Sequence, residues 1–309
     1  MGEGKLESPM KNQLNQQYLR SPLRYPGGKQ KSIPFLSTLI SRYEHDHGIT
    51  EFREPFLGGG SILLYAISNH LGKQFWGNDA NRLLIDFWKQ VQEDANALCL
   101  EVEKFQGHYS GPRKKSPAWT AFRNQLLQDL NALPDNQRHN ATRFFVLNRS
   151  TSSGVTESGG LTPLAYCERF TPSSIDRLRN LAGKLGNAVS FTCGDYAPLL
   201  QKPGQGVFIF LDPPYFSAEG SGLYGKQGNL HRGFDHEKLA AALKNCEHSW
   251  LMTIDHSEKI YEIYSPWTYT HPWSKVYGMT NVNGNSSKIG AELLVANFDF
   301  LSGGVPSKS

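Results

Sequence analysis

The residues best placed to do chemistry form the run Asp212-Pro213-Pro214-Tyr215, which directly follows the apolar stretch Val207 to Leu211. Such a stretch predicts a strand buried on both faces of a sheet, and the carboxyl ends of these strands are where α/β sheets bind ligands. Two prolines remove two backbone donors, so a carboxylate and a backbone carbonyl stay free to accept both N–H groups of an aminated base, on which a tyrosine can stack. The plainer alternative is a Pro-Pro turn with a half-buried tyrosine.

A second candidate site is a glycine-rich turn between a predicted strand, Thr50 to Phe56, and a predicted helix, Ser61 to His70. It reads Glu54-Pro55-Phe56-Leu57-Gly58-Gly59-Gly60-Ser61. Glycines there permit positive φ and let the backbone approach a ligand closely. The turn does not match the dinucleotide-binding fingerprint G-x-G-x-x-G, and an ordinary tight turn would explain the glycines without a ligand.

Asp79 ends the next predicted strand, Phe75 to Asp79, and is followed by helical spacing from Ala80 to Phe105. In a nucleoside-binding βαβ unit, an acid at this place binds ribose hydroxyls. The alternative is that Asp79 caps the following helix, which is compatible with ribose binding only if its carboxylate is free.

The elements around these residues predict an α/β fold with a second, mainly helical segment inserted. The loop Ser21 to Lys29 and a helix Lys31 to Tyr43 come first, and a basic linker, Gly107 to Lys115, marks a change in composition. Beyond it we predict helices at 118–133 and 171–185, with the inserted segment continuing between them through 143–148 and a Ser/Thr/Gly-rich run at 149–162. A polar loop at 216–232, helices at 235–246 and 258–264, and strands at 250–254 and 292–300 follow. We therefore expect a polar, disorder-prone arm at 1–20, one domain made of 21–106 and 190–301, an inserted domain at 107–189, and a flexible tail at 302–309.

Composition excludes several classes of protein. The chain has 309 residues, of which 39% are hydrophobic, and a formal charge of +4, which fits a polyanion partner only weakly. Its four cysteines include no C-x-x-C pair, so neither a zinc site nor a disulfide framework is indicated. No apolar run approaches the roughly 20 residues that span a bilayer, and the first residues lack a signal-peptide core. We expect a soluble, cytoplasmic protein without a metal.

Taken in order, Tyr25-Pro26-Gly27-Gly28-Lys29, the glycine turn and Asp212 to Tyr215 resemble the Dam-like adenine-N6 DNA methyltransferases, the alpha group of the D12 class. The resemblance runs from Ser21 to Phe300 and includes Leu147-Asn148-Arg149, Gly194-Asp195-Tyr196 and Glu292-Leu293-Leu294. It implies a Rossmann-like S-adenosylmethionine-dependent methyltransferase fold with a target-recognition domain inserted. The implied activity is methyl transfer to N6 of an adenine flipped out of duplex DNA.

The resemblance also implies roles for individual residues. The catalytic ones are Asp212, Pro213, Pro214 and Tyr215. S-adenosyl-L-methionine is held by Tyr25, Pro26, Gly27, Gly28 and Lys29, by Glu54, Pro55, Phe56, Gly58, Gly59, Gly60 and Ser61, by Asp79, Ala80 and Asn81, by Asp195 and Tyr196, and by Asp212. In this family the acid like Asp79 takes the ribose and the acid like Asp195 meets the adenine. Lys29 has the alternative of a solvated residue at a helix start.

The segment Leu147 to Gly160 corresponds to a hairpin that enters the DNA groove in relatives specific for GATC. The implied DNA contacts are Arg24, Arg149, Ser152, Ser153, Val155 and Glu157. Those relatives place an intercalating aromatic and a guanine-reading arginine where this chain has Ser152 and Glu157. Glutamate can only accept hydrogen bonds, for example from cytosine N4, so we expect a target other than plain GATC unless the local alignment is shifted by a few residues.

Surrounding charges and partners complete these expectations. Arg113, Lys114, Lys115, Arg123, Arg138, Arg143 and Arg149 make the middle segment basic, which favours contacts with phosphates, although each alone is an ordinary surface charge. Arg24 has that alternative too, and the loop 216–232 either closes over DNA or is disordered. We expect duplex DNA as partner and a monomer in solution, with a cognate restriction endonuclease acting separately left open. Methylation of RNA adenine or of cytosine N4, or an inactive nucleic-acid-binding relative, are the rival interpretations.

Overall fold

The computed structural model describes residues 18–25, 27–152, 154, 160–216, 234–276 and 289–301. Within these ranges the chain forms one mixed sheet flanked by helices. The strands are β1 Glu51–Glu54, β2 Gln74–Asp79, β3 Val189–Cys193, β4 Val207–Leu211, β5 Ser249–Asp255, β6 Tyr269–Val276 and β7 Ile289–Ala296. Their order across the sheet is β3-β2-β1-β4-β5-β7-β6.

The first five strands of that order run parallel, and β7 is antiparallel to both of its neighbours. The chain adds β2 and β3 on one side of β1 and then crosses to β4 on the other side. This reversal between β1 and β4 is the place where doubly wound sheets open a crevice for ligands at the carboxyl ends of the strands. The glycine turn and Asp212 follow these two strands, so both lie at the crevice.

The helices cover both faces of the sheet and build the inserted segment. They are α1 Ile33–His47, after a single 3-10 turn Lys29–Lys31, α2 Ser61–Ser68, α3 Arg82–Glu103, α4 Pro117–Ala132, α5 Gln137–Ser150, α6 Pro163–Arg169, α7 Pro172–Arg179, α8 Ala197–Gln201, α9 His236–Lys244 and α10 Glu258–Tyr264. No helix of the described ranges is both long and apolar enough to cross a membrane.

The inserted helices share a core with the sheet domain instead of standing apart from it. Phe87 of α3 packs against Phe144 and Phe145 of α5, with ring centroids 5.7 and 5.8 Å apart. Apolar side chains of α3, α5 and β3 belong to one continuous buried cluster. A helical layer anchored in this way is held rigidly against the sheet, because burial of large aromatic side chains is strongly stabilising.

The predicted α/β, Rossmann-like fold is confirmed, and β4 coincides with its predicted bounds. Five helices and strands of the described ranges were not predicted: β3, β6, α5, α6 and α8. The strand β6 was missed because it contains Pro272, and a proline argues against a central strand. Proline is tolerated in an edge strand, and β6 lies at the edge of the sheet. The helix predicted at 171–185 is wrong in length, because α7 ends at Arg179 and the chain then turns through Gly183 with φ of 68°.

Candidate active site

Asp212 lies immediately after β4 and is held by two side chains from other segments. Lys29 Nζ lies 2.5 Å from its Oδ1, and the hydroxyl of Thr253 on β5 donates to the same oxygen over 3.1 Å. The other oxygen, Oδ2, accepts no hydrogen bond from the described residues, and the side chain remains 20% exposed. One oxygen of the carboxylate is therefore anchored, and the other keeps its acceptor capacity in a side chain that is partly open to solvent.

Lys29 is buried and uses its whole ammonium group inside this site. Its three donors match three acceptors: Asp212 Oδ1, the hydroxyl of Tyr215 at 2.9 Å and the carbonyl of Gly27 at 3.1 Å. The alternative of a solvated lysine is wrong, since its side chain is only 2% exposed. The sequence predicted contact with a cofactor, which stays a prediction; the structure shows the ammonium bonded to Asp212 and Tyr215 of the predicted catalytic motif.

Tyr215 is fixed at its hydroxyl from two sides. Besides accepting from Lys29, it donates to Oε1 of Glu292 over 2.7 Å, and Glu292 is fully buried on β7. The ring itself is only half-buried. Pro213 is buried, Pro214 is half-buried, and the Pro213 carbonyl accepts no hydrogen bond from the described residues. The motif thus offers a carboxylate oxygen, a carbonyl and a ring face together.

The glycine turn between β1 and α2 packs directly beneath the segment that contains Tyr25. A Cβ on Gly58 would lie 2.8 Å from the Tyr25 ring, and one on Gly59 would lie 3.0 Å from Tyr25 Cβ. Gly60, with φ of 63°, precedes α2 at its N-cap, and a Cβ there would lie 2.8 Å from the Trp88 ring. The turn needs glycine for this packing, which brings the two predicted cofactor segments together.

Gly27 and Gly28 form a second turn, next to Tyr25, in which the Gly28 amide donates to the Tyr25 carbonyl. Pro26 lies outside the described residues.

Asp79 does not cap α3, since Asn81 does so by accepting from the Leu84 amide. Its carboxylate joins the glycine turn to the start of α3, because Oδ2 accepts from the Gly58 amide and Oδ1 from the Asn81 amide, each over 2.9 Å. Burial raises the pKa of this carboxyl, against the effect of the amide hydrogen bonds. Each oxygen still has a lone pair for a ribose hydroxyl, so the predicted role remains compatible with the geometry. Ala80 beside it is exposed.

Glu54 is buried beneath the glycine turn, where its Oε2 accepts from the Leu63 amide in the first turn of α2 over 2.8 Å. Burial raises its pKa well above the usual value, the amide and nearby Lys29 act in the opposite direction, and Asp212 adds to the rise. Pro55 and Ser61 are buried beside it, whereas Phe56 is half-buried and packs on Tyr196 with ring centroids 5.3 Å apart. Glu54 thus stabilises the turn, and its carboxyl also lies within electrostatic reach of the ion pair between Lys29 and Asp212.

Asp195 follows β3 and is exposed, with Oδ1 accepting from the Ala197 amide over 2.7 Å. Tyr196 beside it is buried and lies against Phe234, with ring centroids 6.0 Å apart. Buried Asn78 holds the neighbouring strand ends together by donating to the carbonyls of Pro55 and Gly194. An exposed acid next to an aromatic wall is suited to a ligand that carries hydrogen-bond donors on a flat ring.

The hydrogen-bond acceptors at the strand ends of this crevice fit the chemistry of S-adenosylmethionine, the predicted cofactor. Four adjacent parallel strands each end at an acid: Asp195 after β3, Asp79 at β2, Glu54 at β1 and Asp212 after β4. The cofactor carries an ammonium group, ribose hydroxyls, an exocyclic amine and a positive sulfonium, which are all donors or cations. The described residues contain no cluster of metal-binding side chains.

Arg149 was predicted to contact DNA, and the structure corrects this. The side chain is buried, donates to the Arg169 carbonyl over 2.9 and 2.6 Å, and reaches the Pro22 carbonyl over 3.4 Å. Burial first, then the charges of Arg24, Arg177 and Arg169, lowers its pKa to about 9. The guanidinium therefore joins the inserted segment to the segment before Lys29, because each of its three nitrogens donates to a main-chain carbonyl.

Arg24, also a predicted DNA contact, is half-buried and bound through its main chain to Asn148. The Asn148 amide accepts from the Arg24 N–H over 3.0 Å and donates to its carbonyl over 2.8 Å, in the manner of a second peptide group. The same side chain donates to the Gly154 carbonyl over 2.8 Å. Ser152 is exposed, whereas Ser153, Val155 and Glu157 lie outside the described residues. The predicted hairpin thus begins directly against the segment that leads to Lys29.

A family model matches most of the chain, including the motifs of this site. The model for the D12 class of N6 adenine-specific DNA methyltransferases matches residues 25–279, which include the Tyr25 segment, the glycine turn and Asp212 to Tyr215. The chain belongs to this family. The membership agrees with the resemblance found from the motifs alone.

Three relatives of this D12 protein show how far the similarity extends. The chain is 31% identical to a DNA N-6-adenine-methyltransferase of Escherichia phage P1, over 52% of its own length but only 20% of the length of the phage protein. It is 24% identical to the type II methyltransferase M.MjaIII of Methanocaldococcus jannaschii, over 62% of the chain and 68% of that protein. Modification methylase StsI of Streptococcus sanguinis is 22% identical over 95% of the chain, which spans 46% of StsI.

Sequence reasoning missed three contributors to the site of this D12 protein: Thr253, the role of Glu292 and Asn78. Thr253 lies in a strand that the sequence predicted, one position across the sheet from the catalytic motif, so the strand order would have identified it. Glu292 stood out as a charged residue within an apolar strand pattern. Asn78 carried no such signal.

Proposed function

We propose that this protein is a site-specific DNA adenine methyltransferase that transfers the methyl group of S-adenosylmethionine to N6 of an adenine flipped out of duplex DNA. The observation that carries the proposal is the state of Asp212. Its Oδ1 is anchored by Lys29 and Thr253, while Oδ2 and the carbonyl of neighbouring Pro213 accept no hydrogen bond from the described residues, and half-buried Tyr215 follows in the same motif. This set matches an aromatic amine, which brings two N–H donors and a flat face.

On this proposal, Asp212 Oδ2 and the Pro213 carbonyl each accept one N–H of the target amine. Accepting both hydrogen bonds aims the nitrogen and raises its electron density, so that alignment supplies most of the catalysis. As the new C–N bond forms, the nitrogen gains positive charge and then releases one proton towards Asp212 or water. Tyr215 stacks on the base and helps offset the cost of flipping, which is a few kcal/mol.

The cofactor supplies a methyl group already activated on a positively charged sulfur, which leaves as a neutral thioether. The residues proposed to hold it are those at the four strand ends: Asp195 and Tyr196 for the adenine, Asp79 for the ribose hydroxyls, and the glycine turn with Tyr25 for the rest. Glu54, Lys29 and Asp212 would face the charged end. A protein that consumes this cofactor and modifies DNA would work in the cytoplasm.

The DNA-facing side is proposed to include Arg169 and Arg177, which the sequence did not single out, together with Arg24, which it did. Arg24, Arg169 and Arg177 lie close enough to lower the pKa of buried Arg149. Among the described residues none of these arginines forms an ion pair with a carboxylate. Arg169 also donates to the main-chain carbonyls of Thr151 and Ser152 at the start of the hairpin. Uncompensated arginines beside a recognition hairpin are suited to DNA phosphates.

The target is proposed to differ from plain GATC, because Ser152 and Glu157 replace an aromatic and an arginine of the GATC-specific pattern. A restriction endonuclease acting separately and a monomeric state in solution remain part of the same proposal.

The test is to incubate purified protein with labelled S-adenosylmethionine and unmethylated genomic DNA, digest part of the DNA to nucleosides and map the rest by long-read sequencing. We expect N6-methyladenine at one short motif. Label in N4-methylcytosine, or in RNA offered in parallel and not in DNA, would refute the proposed substrate. Absence of transfer to either nucleic acid, in protein shown to bind the cofactor, would refute the activity.

A further inference from the structure

Glu292 is a fully buried acid on β7, in an otherwise apolar part of the sheet. Leu293 and Leu294, which follow it on the strand, are also fully buried, and it pairs in register with Trp273 on β6 and with Asp255 on β5, a second buried acid. Burying a carboxylate is costly unless it is well bonded, and an apolar side chain of similar volume is often at least as stable. Stability alone therefore gives a weak reason for an acid at this position.

The hydroxyl of Tyr215, in the proposed catalytic motif, donates to Glu292 Oε1 over 2.7 Å. The same hydroxyl accepts from Lys29 Nζ at 2.9 Å, and Lys29 Nζ reaches Asp212 Oδ1 at 2.5 Å. A hydroxyl has one proton to donate, so donation to Glu292 leaves its lone pairs for Lys29. The polarity of the whole chain of contacts, from Glu292 to Tyr215 to Lys29 to Asp212, is thereby set at Glu292.

We propose that Glu292 is a positioning residue for methyl transfer, which acts through the Tyr215 hydroxyl to fix both the stacking ring and the ammonium that anchors Asp212. The inference rests on the proposed function, since it concerns the site that receives the target amine. The Tyr215 ring is held at its Cβ by the chain and at its hydroxyl by Glu292, so its plane has a defined orientation. Without Glu292 the hydroxyl proton would turn towards Asp212 or solvent, and Lys29 would lose a fixed acceptor.

Replacing Glu292 should have different effects on stability and kinetics if the residue is purely structural than if it positions Tyr215 and Lys29. A structural role would alter the thermal midpoint and every kinetic constant alike. A positioning role lowers kcat for methyl transfer while affinity for S-adenosylmethionine is kept, because Asp195 and Asp79, proposed for the adenine and the ribose, lie outside this chain of contacts. It also makes Tyr215 and Glu292 act as one unit, so that losing both costs little more than losing one.

The experiment compares Tyr215→Phe, Glu292→Leu, the double variant and Glu292→Gln with the wild-type protein on unmethylated genomic DNA. Tyr264→Phe is the matched control, because its buried hydroxyl also donates a hydrogen bond, to the His236 carbonyl at 3.3 Å. Rates of methyl transfer give kcat and KM for DNA, calorimetry gives the Kd of S-adenosylmethionine, and thermal melts report folding.

We expect Tyr215→Phe and Glu292→Leu each to lower kcat about tenfold or more, with the cofactor Kd changed by less than about twofold. The double variant should be no slower than the slower single variant, and Glu292→Gln should keep most of the rate because its amide oxygen accepts the same hydrogen bond. Tyr264→Phe should keep full kcat.

Full kcat in Glu292→Leu, or additive losses in the double variant, would overturn the inference. If Glu292→Leu does not fold, Tyr215→Phe decides, since it removes one oxygen and full activity in it would equally overturn the inference. Failure of the proposed function would look different: the wild-type protein itself would methylate no DNA.

Discussion

At the scale of single residues, the active site depends on how each carboxylate is bonded more than on how many there are. Asp212 and Glu54 both lie near Lys29, yet Asp212 is ion-paired and partly open, whereas Glu54 is closed in and bonded to a main-chain amide. Asp212 and Glu54 are both carboxylic acids, but we expect substitution of each, and a change of pH, to affect the protein in different ways.

Asp212→Ala should lower kcat by about a hundredfold or more, because the carboxylate oxygen proposed to accept from the target amine is lost and Lys29 loses its counterion. The Kd of S-adenosylmethionine should change little, since the other strand-end acids remain. Calorimetry and labelled-methyl transfer measure the two quantities. The control is Asp235→Ala, an exposed acid that caps α9. An Asp212→Ala protein that turns over normally would remove this residue from the mechanism.

Glu54→Gln should change how stability depends on pH. The pKa of Glu54 is raised in the folded state, so its contribution to stability is complete below the ordinary value of 4.5 and is lost as the pH rises through the folded value. The amide cannot ionise, so the thermal midpoint of the variant should gain on that of the wild type between about pH 5 and pH 8 without cofactor. A constant difference between the two proteins across this range would contradict the assignment.

The residues of the site were predictable where a motif carried them. Asp212, Tyr215 and the glycine turn come together as expected, and the role of Lys29 emerged only from its distance to Asp212. Arg149 was misjudged because an arginine in a basic segment gives no sign of being buried under main-chain carbonyls. Such bonds depend on where two distant segments meet, and local sequence does not encode that meeting.

At the scale of elements, the glycine turn is the junction on which the cofactor side depends. Gly60 has φ of 63° and faces the Trp88 ring of α3, so the turn cannot move without shifting the start of α2. The strand before the turn and the helix after it were both predicted from the sequence. The strand β6 was not predicted because it contains a proline, and α6 was not predicted because a run of serine, threonine and glycine precedes it.

Gly60→Ala should destabilise the fold by about 1–3 kcal/mol and weaken binding of S-adenosylmethionine, because the new methyl group meets Trp88 and the residue is left strained. Gly183→Ala is the matched control, since Gly183 has φ of 68° with no atom near a Cβ. Chemical denaturation gives the free energy of unfolding of each, and calorimetry gives the Kd. Equal losses in both variants would mean that the Trp88 contact contributes nothing.

At the scale of the whole molecule, charge is distributed unevenly over α7 and the hairpin start. Arg177 is exposed and has no ion pair among the described residues, whereas Arg179 on the same helix is paired with Glu103 and Asp176. A net charge of +4 gave little indication of this, because the sum does not show which cations are already neutralised.

Arg177→Gln should weaken DNA binding and reduce the slope of log K against log salt by about 1, since one phosphate contact is lost. Arg179→Gln should leave both unchanged, because that guanidinium already has two carboxylate partners. Fluorescence anisotropy with labelled duplex DNA over a salt series measures both. Identical slopes for the wild type and Arg177→Gln would exclude Arg177 from the interface.

The bond between Asn148 and the Arg24 main chain bears on how such enzymes acquire new specificities. An inserted domain that ended cleanly at its linkers could be exchanged between relatives as a cassette. Here Asn148 and Arg149 are bonded to the segment Pro22 to Arg24, which lies outside the insertion and leads directly to Lys29. A chimaera that replaces only 107–189 should therefore fold yet methylate poorly, and one that also carries 20–28 from the donor should recover activity. Target specificity in this chain would then be inherited in two pieces, far apart in the gene.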